Sequence, residues 1–130
     1  MIAVDASAIL AILLNEPDAS RFEAALMASR GGLISPVNYW EVMARATAAR
    51  GAQGRGLAEA LLTRLGVDVA AMGVQEARIA ADAFEAFGKR TQARLNLGDC
   101  FAYALAAREG DGLLFKGEDF PRTDVKSALA

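Results

Sequence analysis

The sequence has 130 residues and a formal net charge of −2 at pH 7. It contains no histidine and one cysteine, which excludes Ser-His-Asp and Cys-His nucleophile systems, histidine-rich zinc sites and internal disulfides. The acidic balance is atypical of a protein that coats nucleic acid by bulk charge, so a phosphate-bearing substrate needs local basic clusters or bound cations. Apolar residues make up 54% of the chain, enough for one domain over residues 1–130 with apolar surface left for a partner.

Sequence features that direct proteins into membranes are missing from the chain. No apolar run reaches the length of a membrane span, and the first residues lack the basic region of a signal peptide. The single cysteine is typical of a reducing compartment. These features predict a cytoplasmic protein without membrane contact.

Short apolar strands alternate with helices along the chain. In chain order, we predict a strand at 2–4, helices at 6–14 and 17–29, a strand at 33–34, a helix at 36–50, a glycine-rich turn at 51–56, a helix at 57–65, a strand at 67–69, helices at 74–87 and 98–109, a strand at 113–115 and a further candidate strand at 124–125. This alternation predicts one α/β domain with a parallel sheet covered on both faces.

Four carboxylates stand where an open parallel sheet gathers its ligands, beyond the carboxyl ends of the strands. Asp5 ends the first strand, and Asp119 follows the last strand by a few residues. Asp99 opens the helix that leads into that last strand, and Glu41 lies in the second turn of the helix after the second strand. We therefore expect acids from four separate elements to converge on one pocket.

Each of these acids also has an ordinary structural explanation. An aspartate at a helix start, as at Asp5 and Asp99, caps free backbone N–H groups and interacts favourably with the helix dipole. Glu41 fits a solvated helix position, and Asp119 and Glu118 fit a turn. Only the combination of the acids points to a site.

The surroundings of three acids favour a bound cation. Asp5 lies between an apolar strand and an apolar helix, Glu41 lies in the aromatic segment 38–43, and Asp99 is flanked by apolar side chains. Buried acids require a partner, and no histidine is available, so a divalent cation is the simplest one. A set of carboxylates suits Mg²⁺ or Mn²⁺, which also bind substrate phosphates.

Two polar side chains close to the acids are candidate supports. Ser7, two residues past Asp5, is placed to orient a carboxylate or a water, although hydrogen bonding at the helix start is the simpler explanation. Asn96, which precedes Asp99, allows the same two interpretations, with loop structure as the simpler one.

Four segments of the sequence resemble the PIN-domain nucleases, and in particular the VapC-type toxins of bacterial toxin–antitoxin pairs. The segments are IAVDASA at 2–8, SPVNYWEV at 35–42, NLGDCFAYA at 96–104 and LLFKGEDF at 113–120. Their order and spacing span nearly the whole chain. The resemblance implies a three-layer α/β/α sandwich and cleavage of single-stranded regions of RNA by a metal-activated water.

The same resemblance implies roles for individual residues. It assigns four catalytic acids, Asp5, Glu41, Asp99 and Asp119. Asp5, Asp99 and Asp119 are the implied ligands of Mg²⁺ or Mn²⁺, and Glu41 either binds the metal or activates water. Many relatives carry an acid two residues earlier in the last segment, where this chain has Gly117. Asp119, helped by Glu118, has to serve instead.

A basic loop precedes the third acid. Lys89, Arg90 and Arg94 form the dense basic cluster of the chain, just before Asp99. We expect them to hold the RNA backbone, and a solvated loop explains them nearly as well.

The resemblance also implies a cognate antitoxin, and the surplus of apolar residues suggests a homodimer. The apolar residues around Ile9, Leu13, Phe22 and Trp40 are candidates for these contacts. Core packing is the default explanation for each of them.

Two other functions fit parts of the sequence. A metal-free PIN fold would act only through protein contacts, and the four acids argue against it. A phosphotransfer domain is suggested by Asp5 after the first strand and Lys116 after the last. However, a dehalogenase-type site needs a second acid where Ser7 stands, and a receiver needs an aspartate after the middle strand, where residues 70–72 offer none.

Overall fold

Four parallel strands form the centre of the fold in the computed structural model, which describes residues 1–129. The strands are β1 (Ala3–Val4), β2 (Gly32–Ile34), β3 (Val67–Val69) and β4 (Leu113–Leu114). The helices are α1 (Ala6–Leu13), α2 (Ala19–Ala28), α3 (Pro36–Leu65), α4 (Val74–Phe87) and α5 (Leu97–Glu109), followed by the 3-10 helix Phe120–Arg122. Apart from the predicted turn at 51–56 and the predicted strand at 124–125, the boundaries of these elements agree with the prediction to within about two residues.

The sheet has the order β3-β2-β1-β4, with every pair parallel. Successive residues of a strand point to opposite faces, so each strand contributes to two cores. Val4, Ile34 and Leu114 pack with α1, α2 and α3, whereas Ala3 and Leu113 pack with α4 and α5. The predicted three-layer α/β/α sandwich with a central parallel sheet is therefore confirmed.

Helix α3 bends sharply in its middle. Only Arg50 and Gly51 leave helical geometry, and Gly51 has a φ of 58°. The predicted turn at 51–56 is therefore wrong, because the helix resumes after the bend. The hydroxyl of Tyr39 donates a hydrogen bond to Glu59. These residues would lie about 30 Å apart along a straight helix, so the bend folds the two halves against each other.

Residues 126–128 lie against the edge of β4. The predicted strand at 124–125 is wrong, because the pairing occurs two residues later, in a single parallel bridge between Leu113 and Ser127. Leu113 donates its backbone N–H to the Lys126 carbonyl at 2.8 Å, and its own carbonyl accepts the N–H of Ala128 at 2.8 Å. Across residues 1–129, no helix has the length and apolar character that a membrane crossing requires.

Candidate active site

A cleft of about 490 Å³ opens beyond the carboxyl ends of β1 and β2. Its lining includes Asp5, Ser7, Glu41 and Asp99, together with Trp40. The chain brings these acids together because each one follows a strand or begins a helix at the same edge of the sheet. Three of the four predicted acids therefore share one cleft.

Asp5 links the central strand to the first helix. It is the N-cap of α1, with its Oδ2 accepting the backbone N–H of Ser7 at 3.0 Å, and it is only 6% exposed. Burial raises the pKa of Asp5 to about 6; hydrogen bonds from Ser7 lower this pKa, and the charge of Glu41 raises it. Asp5 therefore caps the helix as predicted. It is also a buried acid that forms no ion pair within residues 1–129.

Asp99 occupies the first turn of α5. Its backbone N–H donates to Asn96 Oδ1 at 2.9 Å, and its Oδ2 accepts the Asn96 N–H at 3.1 Å, which is a reciprocal capping box. Burial raises the pKa of Asp99 to about 6; the hydrogen bond from Asn96 lowers this pKa, and the charges of Asp5 and Asp119 raise it. Asn96 thus fixes one oxygen of Asp99 and supports the backbone that carries it.

Glu41 reaches the cleft from the second turn of α3. This helix starts as the sequence predicts, with Ser35 as N-cap and Pro36 in its first turn. Glu41 is partly buried, and burial raises its pKa, with the charge of Asp99 acting in the same direction and a hydrogen bond from Asn38 acting against it. The negative charge of Asp99 thus acts on Glu41 across the cleft.

Asn38 is the residue that sequence reasoning missed. Its side chain is fully buried, and its Nδ2 donates to Glu41 Oε1 at 2.8 Å and to the Gly98 carbonyl at 3.0 Å. Asp5 Oδ1 lies 3.5 Å from the same nitrogen. Ser35 Oγ donates to Asn38 Oδ1 at 2.5 Å. The amide therefore connects three of the segments that build the cleft.

The orientation of this amide follows from its partners. Both carboxylates and the Gly98 carbonyl are acceptors, so the nitrogen of Asn38 has to face them and the oxygen has to face the Ser35 hydroxyl. The available signal in the sequence was the spacing of Ser35, Asn38 and Glu41, three residues apart on one helix face. That spacing does not reveal the contact with Gly98, which is 60 residues away.

Gly98 allows the carboxylate of Glu41 to approach the start of α5. A Cβ added at Gly98 would lie 2.3 Å from Glu41 Oε1 and 2.4 Å from Oε2. No side chain larger than hydrogen fits while Glu41 keeps its position. The glycine is therefore required by the close approach of a cleft acid.

Asp119 stands at the margin of the site. It is exposed at the start of the 3-10 helix and is not among the residues that line the cleft, although its charge contributes to the raised pKa of Asp99. Glu118 and Gly117 are also exposed, and Gly117 has a φ of 117° that favours glycine. The fourth acid is close to the cluster but outside the cleft.

Ser7 joins the segment after β4 to the start of α1. Its Oγ accepts the backbone N–H of Lys116 at 2.9 Å. The side chain of Lys116 turns away from the acids and lies 3.3 Å from both Glu16 and Asp18. Ser7 thus holds the strand that leads to Asp119 beside Asp5.

The predicted basic cluster lies in the loop between α4 and α5. Lys89, Arg90 and Arg94 are exposed, and none of them forms an ion pair within residues 1–129. None of them lines the cleft itself. The loop leads directly into the capping box of Asp99, so these charges flank the site and do not form its floor.

The chemistry of the cleft suits a divalent cation. Within residues 1–129 no Lys, Arg or N-terminal amine pairs with Asp5, Glu41, Asp99 or Asp119. Burial, together with the charges of neighbouring acids, raises the pKa values of the three cleft acids, and no positive side chain acts against it. In the described side-chain positions no three acidic, histidine or cysteine groups are close enough to hold one ion. To bind one cation together, the cleft carboxylates would have to lie closer to one another than they do in the described structure.

Comparison with known proteins identifies relatives that match nearly the whole chain. The model of the PIN domain family matches residues 2–126. The chain is 44% identical over 123 residues to the VapC ribonuclease Mb0640 of Mycobacterium bovis, covering 94% of both proteins. It is 39% identical over 127 residues to ribonuclease VapC42 of Mycobacterium tuberculosis, covering 96% of this chain and 97% of that protein, and 40% identical over 123 residues to ribonuclease VapC of Mycolicibacterium smegmatis, covering 94% and 95%. The resemblance read from the four sequence segments is thereby confirmed: this chain belongs to the PIN-domain family.

Proposed function

We propose that this chain is a metal-dependent endoribonuclease of the VapC kind, which hydrolyses phosphodiester bonds of RNA at the cleft of Asp5, Glu41 and Asp99. The observation that carries the proposal is that three carboxylates from three elements meet in one cleft without an internal cation. The relatives named above are ribonucleases, and they match this chain over nearly its full length.

Asp5 and Asp99 are the proposed holders of the metal ion, with Asp119 as the outer ligand. Asp5 is fixed by the N–H of Ser7 and Asp99 by the N–H of Asn96, and in each case this bond occupies Oδ2. Of the other two oxygens, Asp5 Oδ1 lies 3.5 Å from Asn38 Nδ2, and Asp99 Oδ1 has no hydrogen-bond partner within residues 1–129. A bound Mg²⁺ or Mn²⁺ would supply an activated water and neutralise charge on the phosphate.

Glu41 is the proposed acceptor of the water proton. Its Oε1 accepts from Asn38, which leaves Oε2 to take a proton from the attacking water. The raised pKa of Glu41 brings this acid closer to the pH at which a general base works best. The water oxygen bonds to phosphorus, one ester P–O bond breaks, and the departing oxygen takes up a proton.

Asn38 is the proposed positioning residue. It touches neither water nor phosphate in this scheme, but it fixes Glu41 against Gly98 and thereby sets the distance between Glu41 and Asp99. A buried amide with all its partners satisfied holds such an arrangement rigidly.

The RNA backbone is proposed to run over the basic loop. Lys89, Arg90 and Arg94 are exposed and free of ion pairs within the described residues, and they lie in the loop that leads to Asp99. Such charges hold phosphates without reading sequence. We further propose that residues 1–130 form one nuclease domain that acts as a toxin, forms a homodimer and is neutralised by a cognate antitoxin protein.

Cleavage of structured RNA with Mg²⁺, with Mn²⁺ and with EDTA tests the activity. Wild type should cut RNA only with metal, and Asp5→Asn and Asp99→Asn should each abolish cutting. Asp82→Asn is the matched control, because Asp82 is an exposed acid on α4. Cutting that survives EDTA or both cleft substitutions would refute the mechanism.

Calorimetry with Mn²⁺ separates the metal site from the reaction. Wild type and Asp82→Asn should bind the ion, whereas Asp5→Asn and Asp99→Asn should bind it much more weakly, because each loses a charged ligand. Equal binding by all four proteins would place the metal elsewhere. This result would leave a protein-binding PIN fold as the better description.

A further inference from the structure

Trp40 is the large aromatic side chain that the fold leaves in solvent beside the acids. The residue is 67% exposed, although it is the immediate neighbour of Glu41 on α3. The side chains that flank it in sequence are partly buried. An indole exposed to this extent contributes little to the stability of the isolated domain, so its face is open to a ligand.

Two clefts meet at this indole. One is the acid cleft with Asp5, Glu41 and Asp99, and Trp40 lines it. The other, of about 430 Å³, runs along α3 on the far side of Trp40 and ends at Arg55. Trp40 and Ala44 line both clefts and form the wall between them.

Small side chains form part of the lining behind the indole, together with the larger Tyr39 and Met43. Ala44, Thr47 and Ala48 follow Trp40 at intervals of three to four residues, so they lie in one stripe along α3. Small residues along this stripe leave an open shelf at the foot of a flat aromatic face. A planar group that stacks on the indole fits this shape.

Positive charge is present in both clefts. Arg45 lines the acid cleft and Arg55 lines the second one, and neither forms an ion pair within residues 1–129. A ligand that combines a planar apolar ring with phosphates on either side satisfies the indole and both guanidinium groups.

We infer that Trp40 and the neighbouring shelf form a nucleobase subsite, in which the base next to the scissile phosphate of single-stranded RNA stacks on the indole. This inference rests on the proposed ribonuclease function and adds to it the residue that holds the base beside the cleaved phosphate. A duplex keeps its bases stacked on each other, so only an unpaired base can enter. The second cleft then carries the following nucleotide, with its phosphate beside Arg55.

The chain contains one tryptophan, so its fluorescence reports on this site alone. The probe is a short unstructured RNA oligonucleotide with a terminal dye, titrated in EDTA so that it is not cut, and dye anisotropy records binding. Trp40 emission should be quenched in step with the anisotropy, because a stacked base quenches the indole. The same RNA annealed to its complement should give little quenching at equal occupancy.

Steady-state cleavage with Mg²⁺ supplies a second measurement. Trp40→Ala should raise KM roughly ten-fold or more with a smaller change in kcat, and Trp40→Phe should restore most of the loss, because a phenyl ring still stacks. Met27→Ala is the control: Met27 is 78% exposed on α2 and lies outside both clefts, so KM should not change.

The outcomes separate this inference from the proposed function. If wild type cuts RNA while bound RNA leaves the emission unchanged, or while Trp40→Ala keeps the wild-type KM, the subsite is refuted and the ribonuclease function stands. If Trp40→Ala instead shifts the sedimentation of the protein from dimer to monomer, the indole serves contact between two copies and the inference is also refuted. If wild type neither binds nor cuts RNA, both proposals fail.

Discussion

Replacing Gly98 with alanine should change the geometry of the cleft much more than it changes the stability of the fold. The new Cβ would lie 2.3 Å from Glu41 Oε1, whereas ordinary contacts begin near 3.4 Å, so the carboxylate has to move by about 1 Å. The atoms that give way are at the end of a flexible side chain and not in the backbone. The hydrogen bond from Asn38 to Glu41, now 2.8 Å, would stretch or break.

The two consequences have different sizes. Alanine in a helix is favoured over glycine by roughly 0.5–1 kcal/mol, and loss of the hydrogen bond costs about 1 kcal/mol, so the free energy of unfolding should change by less than about 1 kcal/mol. A displacement of about 1 Å in a reacting group lowers the rate by about 10²-fold. We therefore expect Gly98→Ala to be folded and nearly inactive.

Thermal unfolding and the cleavage rate of a fluorogenic RNA measure the two effects side by side. Gly56→Ala is the matched control, because Gly56 is also helical and a Cβ there would have nothing within 4 Å. It should keep full activity. The reasoning is refuted if Gly98→Ala cuts RNA at the wild-type rate, or if it loses activity only because it unfolds.

Three further predictions concern charge and hydrogen bonding. Because burial raises the pKa of Asp5 from 3.8 to about 6, the folded state binds a proton more tightly than the unfolded state. The contribution of Asp5 to the free energy of unfolding of the metal-free protein should therefore fall by about 2 kcal/mol as the pH rises from about 4 to about 6, and urea titrations in EDTA should show a fall that is smaller by this amount for Asp5→Asn. Asn38→Ala should lose roughly 2 kcal/mol of stability, because its buried partners lose their hydrogen bonds. In cleavage assays, kcat of this variant should fall by a larger factor than KM changes. An unchanged kcat in a folded variant would exclude a positioning role. Simultaneous reversal of Lys89, Arg90 and Arg94 to glutamate should weaken RNA binding and reduce the slope of log K against log salt by about 2, and an unaltered slope in anisotropy titrations would remove these residues from the RNA path.

Local pattern predicted the elements of this fold well. Apolar runs and helix caps located the strands and helices, and the Ser35-Pro36 start of α3 appears as expected. The predicted turn at 51–56 failed because three glycines suggested a break, whereas only Gly51 adopts a positive φ among them. Whether a glycine breaks a helix depends on tertiary contacts, here the return of the second half of α3 against the first.

The site was predictable in part. The rule that ligands gather at the carboxyl edge of a parallel sheet placed Asp5, Glu41 and Asp99 in one region, and the structure brings them into one cleft. The same rule was too coarse for Asp119, which depends on the path of an irregular segment. Asn38 was not predicted as a site residue, because a polar residue in the first turn of a helix is common and because its partner Gly98 is distant in sequence. The roles of these residues stay predictions that the experiments above address.

The strand order has a consequence for the timing of activity during synthesis. The first strand, β1, lies inside the sheet, and the last strand, β4, joins its free side only when the chain is nearly complete. A nascent chain that ends before residue 98 carries Asp5 and Glu41 but lacks the third acid and the carbonyl that orients Asn38. Because a domain generally folds as a unit, the complete cleft, and with it the proposed RNA-cutting activity, forms only when the chain is nearly complete. The RNA of the ribosome that makes the chain is thus exposed to a finished cleft only at the end of its synthesis.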